Sequence, residues 1–164
     1  MGMRLLFMLV GTLLLADDRN IDFDKEANFT SFRTYSLRKG TINARGPELD
    51  SPILKRRIDA AIRSQFASKG MEEGARPDLI ITWRLGAANK RQVQSWPTGR
   101  RGFGTRHTTY NFTEGTLVID MVEAATKQLV WRGIYRDDED NAAKISKKIE
   151  KDIKELFDKY PPKK

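Results

Sequence analysis

The spacing of apolar residues changes several times along the chain, and each change predicts an element. Arg4 precedes an unbroken apolar run over residues 5–16, and Asp17, Asp18 and Arg19 follow at once. As a helix the run reaches about 18 Å, short of the roughly 30 Å hydrocarbon core of a bilayer. A positive residue before 7–15 apolar residues reads as the start of a secretory signal. The alternative, a buried N-terminal core helix, would need an amphipathic spacing that the run lacks. Residues 1–17 are therefore read as a signal-peptide-like segment and residues 18–162 as one domain.

Within that domain Ile21-Asp22-Phe23-Asp24 alternates like a short strand, and residues 33–37 give a second through Tyr35 and Leu37. A polar stretch over 39–50, with Gly40, Gly46 and Pro47, reads as a loop. Ser51-Pro52 then supplies an N-cap with proline at the first helical position. Leu54, Ile58, Ala61, Ile62, Gln65 and Phe66 recur at helical spacing up to Gly70. Leu79, Ile81, Trp83 and Leu85 alternate along one face of a strand. A final helix carries Ile145, Ile149, Ile153, Leu156, Phe157 and Tyr160 in one stripe before Pro161-Pro162.

The strongest β signal spans 110–123 and 129–135 around the turn at 124–128. Pairing Glu123 with Leu129 sets Met121 by Trp131, Ile119 by Gly133 and Leu117 by Tyr135. The other face then sets Val122 by Val130, Asp120 by Arg132 and Val118 by Ile134. Both faces carry apolar residues, so this hairpin should be central. The expected fold is α+β, a mixed, mostly antiparallel sheet with two amphipathic helices packed on one face. An envelope protein partner or a second copy is the expected cover for part of the second face.

Composition narrows the chemistry. With 39% hydrophobic and 32% charged residues, the 164-residue chain is of globular type. It has no cysteine, which excludes disulfides, thiol nucleophiles and zinc sites built on Cys. Leu14-Leu15-Ala16 reads like the start of a bacterial lipoprotein box, but Asp17 stands where the lipid-bearing Cys would follow, so lipid anchoring there is not expected. Export places the protein in the periplasm or against a membrane.

The segment TLVIDMVEAATKQLVWRG over 116–133 resembles the central signature of the bacterial lipoprotein family called domain of unknown function 4136. Phe23-Asp24 and FTSFRTY over 29–35 resemble its opening. Arg57-Ile58 with Ala61-Ile62, then Lys69-Gly70, resemble its first helix. Pro77-Asp78-Leu79 resembles the opening of its next strand, and Tyr160-Pro161-Pro162 its ending. The resemblance spans nearly all of 18–162 and implies an exported envelope protein with an α+β fold, with no activity or catalytic residues to carry over. Residues 123–131 also resemble the repeat of quinoprotein β-propellers, but a propeller needs several copies at a fixed period and this chain has one.

No nucleotide-binding, hydrolase or metalloprotease motif occurs, so no catalytic residue, metal ligand or cofactor is assigned. His107 is alone and polar-flanked. The run Asp137-Asp138-Glu139-Asp140 lacks the spaced ligands and glycine of a calcium loop and sits before a helix, where acids offset the dipole. Asp120 and Arg132 read as a stabilising cross-strand pair.

One stretch stands apart. Residues 86–109, read as a loop, hold Lys90, Arg91, Arg100, Arg101 and Arg106 and no acid, which is +5 of the chain's +8. Trp96 and Phe103 lie among the cations. Such a mixture suits a polyanion, through guanidinium–phosphate contacts and aromatic stacking. The alternative is a solvated linker. Behind a signal segment the polyanion would be anionic lipid or lipopolysaccharide phosphate; nucleic acid would require that the chain not be exported. The expected function is an exported, non-catalytic binding or structural module.

Overall fold

The computed structural model describes residues 18–44, 50–87, 90–97, 105–112, 115–136 and 142–163. Its elements, in chain order, are β1 (Asp18–Phe23), β2 (Thr34–Leu37), β3 (Thr41–Ala44), α1 (Pro52–Ser68), β4 (Glu72–Glu73), β5 (Leu79–Ala87), β6 (Lys90–Pro97), β7 (Thr105–Phe112), β8 (Thr116–Glu123), β9 (Leu129–Arg136) and α2 (Ala142–Phe157). The main sheet runs β1-β9-β8-β5-β2-β4, with β3 also paired to β5. The β1, β9, β8 and β5 pairings are antiparallel; β2 and β3 join β5 in parallel, and β4 joins β2 in parallel. This is the expected α+β class.

The alternation in β5 and β8 decides which face the helices cover. Leu79, Ile81, Trp83 and Leu85 share a core with Leu117, Ile119 and Met121. Leu54, Ile58, Ile62 and Phe66 of α1 and Ile145, Ile149, Ile153, Leu156 and Phe157 of α2 complete it, nearly all below 5% exposure. At about 25 cal/mol per Å² of apolar surface, this two-helix cover is the main source of stability. Helix α1 begins as the sequence predicts: the Ser51 hydroxyl accepts from the Ile53 N–H at 3.2 Å, with Pro52 at the first turn. Gly70, at φ +72°, takes the left-handed turn that ends it.

The N-terminal strand and the C-terminus meet in an aromatic cluster. Phe29 contacts Phe23, Phe32 and Tyr160 edge to face. Asp78 fixes the start of β2 against β5. Its Oδ2 accepts from the Arg33 and Thr34 N–H groups at 2.9 Å and from the Thr34 hydroxyl at 3.0 Å. Those backbone donors hold the Asp78 carboxyl below its ordinary range.

Several expectations are corrected. The polar stretch 39–50 is not all loop, because Thr41–Ala44 forms β3, held by buried Ile42 and by the open side of β5 beyond β2. The stretch 86–109 is not a structureless loop either: β6 and β7 pair with each other over eight rungs. Thr, Val, Tyr and Trp supply the strand preference that its charge and glycines obscured. The single strand expected over 110–123 is two, β7 and β8, separated where Gly115 adopts φ +76°. The hairpin register holds from Leu117↔Tyr135 to Met121↔Trp131, but a bulge then sets Val122 opposite Leu129 rather than Val130. Helix α2 stops at Phe157, and Tyr160 reaches the core from the following turn, its N–H donating to the Phe157 carbonyl.

Candidate binding surface

Two polar features stand out from this framework: a row of charges across the second sheet face, and the cationic ribbon. Antiparallel pairing carries one row across four strands, Thr82 on β5, Asp120 on β8, Arg132 on β9 and Asp22 on β1. Asp120 is 1% exposed. Its Oδ1 accepts from Arg132 Nε at 2.7 Å, and its Oδ2 from Arg132 Nη2 at 3.2 Å and Arg84 Nη1 at 3.3 Å. The sequence pairs Asp120 with Arg132; the structure adds Arg84. Period-two alternation was the available signal, since Arg84 lies on the same face as Ile80 and Thr82.

Around this cluster Ile80, Thr116, Val118 and Val122 are buried within the chain itself. The Thr82 hydroxyl is buried without a hydrogen-bond partner. A carboxylate held by two guanidiniums and closed off from solvent has the geometry of a structural clamp. Buried ion pairs are costly to assemble and costlier to break.

A cleft of about 270 Å³ opens beside the bulge, between Asp22, Phe23 and Asp24 on one side and Gln128, Leu129, Val130 and Trp131 on the other. Among the described residues no group of three or more His, Cys, Asp or Glu could hold a metal ion. No described helix is long and apolar enough to cross a membrane.

The residues read as a polyanion site fall in two groups. Lys90, Arg91 and Trp96 are on β6, and Arg106 is on β7 opposite Trp96. Arg100, Arg101 and Phe103 lie outside the described residues, as does the acidic run 137–140. His107 sits on β7 opposite Ser95. The register explains how the ribbon is placed. Stepping outward four residues on each strand from Gly86↔Thr116, the last rung of β5 and β8, leads to Lys90↔Phe112, the first rung of β6 and β7. The two strand pairs thus share one offset, and the ribbon pairs with no other strand among the described residues.

Comparison with known proteins places the fold. The family model described as Domain of unknown function (DUF4136) matches residues 19–162. No curated protein matches the chain. A PDZ domain protein from Parabacteroides distasonis is similar in structure over 90% of this chain, at 14% identity and a TM-score of 0.56. The chain spans 36% of that protein's length, and the likeness is one of fold. A PelC dodecamer from Paraburkholderia phytofirmans aligns over 85% of this chain and 97% of its own, at 7% identity and a TM-score of 0.45.

Proposed function

The chain belongs to the Domain of unknown function (DUF4136) family, and on that premise we propose that it is an exported envelope protein, a non-catalytic module that binds phosphate-bearing polyanions through its basic ribbon. The observation that carries this reading is the ribbon. Its two strands pair with each other outside the main sheet and include Lys90, Arg91 and Arg106 without one acidic residue. Arg100 and Arg101 add two cations in the connecting sequence. Contacts from guanidinium to phosphate are charge-assisted and forked, which suits arginine to this partner.

The apolar run at 5–16 supports export, and export makes anionic lipid or lipopolysaccharide phosphate the available ligand. The buried clamp at Asp120 serves the sheet and leaves the ribbon as the binding element. Fractionation of cells expressing the full chain, with intact-mass measurement of the product, tests the localisation. The expected result is a chain in the envelope fraction that has lost residues 1 to about 16. A full-length chain in the cytosol would overturn the reading and turn attention to nucleic acid as the polyanion.

A further inference from the structure

We infer that the β6–β7 ribbon is a membrane-contacting arm, whose partner is the headgroup layer of an anionic lipid bilayer and whose anchor is the Trp96–Arg106 rung. This rests on the proposed binding of polyanionic phosphate and specifies what carries the phosphates. Three observations lead to it. The ribbon lies in the chain between β5 and β8, its first rung four residues beyond their last on each strand. A two-stranded ribbon is marginal in water when alone, so an arm of this kind gains order from what it binds.

The third observation is the spacing of its charges. Lys90 occupies the rung nearest the sheet, opposite Phe112, and Arg106 lies six rungs further out on the same face of the ribbon. At about 3.3 Å per residue the two cationic ends are about 20 Å apart. A single small anion cannot meet both ends. An array of phosphates can, and a bilayer surface offers one. Trp96 at the outer rung distinguishes a bilayer from a flexible polyanion, because indole prefers the boundary between headgroups and acyl chains.

The test uses the full mature chain with vesicles of phosphatidylcholine, with and without phosphatidylglycerol, and with duplex DNA, whose bases are already stacked on one another, as a soluble polyanion. Co-sedimentation and quenching of tryptophan fluorescence by brominated lipid are read together. Trp83 and Trp131 are 1% and 0% exposed, so lipid quenching reports Trp96. Wild type is expected to bind the phosphatidylglycerol vesicles and to be quenched. Arg106→Gln should weaken vesicle binding about fivefold, as should Lys90→Gln, whereas Arg91→Gln, on the opposite face of the ribbon, should weaken it less. Trp96→Ala should abolish quenching and weaken vesicle binding while leaving DNA binding intact, with circular dichroism unchanged in every variant. Binding to DNA without any vesicle association would overturn this inference and leave polyanion binding standing. Failure to bind either ligand at low salt would overturn both.

Discussion

Replacing Asp120 by alanine tests how the second sheet face is held together. The carboxylate is 1% exposed, and the side chains it bridges are 6% exposed at Arg84 and 17% at Arg132. Removing one member of a buried ion cluster typically costs about 3–5 kcal/mol, because the remaining charge stays buried without its counter-charge. Arg132 is the least enclosed of the three, and both arginines make further contacts, so the lower end applies: about 3 kcal/mol. Asp120→Asn keeps the shape and one of the two acceptors, fills the space that alanine leaves empty, and should cost less. The assay is urea unfolding, with the loss appearing as a lower midpoint at unchanged slope. A triple variant with Asp120→Leu, Arg84→Met and Arg132→Leu should be more stable than Asp120→Ala, since none of the three clustered charges is then left facing the gap. Stability of Asp120→Ala within about 0.5 kcal/mol of wild type would refute the clamp, and so would a triple variant less stable than the single one.

Phe157→Ala should cost about 3–5 kcal/mol by urea unfolding, because the ring is fully buried, with its centroid 5.0 Å from that of Phe66 and 6.0 Å from that of Trp131. Gly40→Ala should be at least as damaging as ordinary overpacking, roughly 1–3 kcal/mol by thermal melting. Its Cβ would run into the Trp83 ring, and the Trp83 Nε1–H, donating to Asp59 at 2.6 Å, keeps that ring from swinging away. Burial pushes the Tyr160 hydroxyl up to about 12. The unfolded chain ionises first, so stability present below about pH 10 should fall by roughly 2–3 kcal/mol as pH rises towards 12. Urea midpoints across that range should decline less steeply in Tyr160→Phe; an identical decline would contradict the assignment. Tyr35 shifts in the same direction, so some of the decline should remain in that variant.

How far the sequence could be read depended on whether a residue's setting was local. Helix α1 was legible because Ser51, Pro52 and Gly70 act within a few residues of themselves. The core hairpin was legible because Leu117, Ile119 and Met121 alternate strictly, but its bulge was not, since Val130 is core-compatible in either register. Strand β3 was hidden because Ile42 is the one large apolar residue in it, and its pairing partner is more than forty residues away in β5. Arg84 was missed at the clamp for the same reason: its partner Asp120 is 36 residues away. In the basic stretch, charge and glycine masked the β preference of Val93, Trp96, Thr105, Thr108, Thr109 and Tyr110. The resemblance of 29–35 and 77–79 to family segments gains a physical cause, because Asp78 binds the backbone of Arg33 and Thr34.

The most direct test of the central claim is a salt titration of binding to duplex DNA, used as a soluble phosphate array, by wild type and by the Arg100→Gln/Arg101→Gln variant. Each phosphate neutralised contributes about −0.9 to the slope of log K against log salt, so five engaged cations give a slope near −4 to −5. Wild type is predicted to approach that value, and the double variant to lose about 2 from it, with unchanged melting temperature. Binding that ignores salt, or a slope equal in both proteins, would contradict the assignment of phosphate recognition to the ribbon.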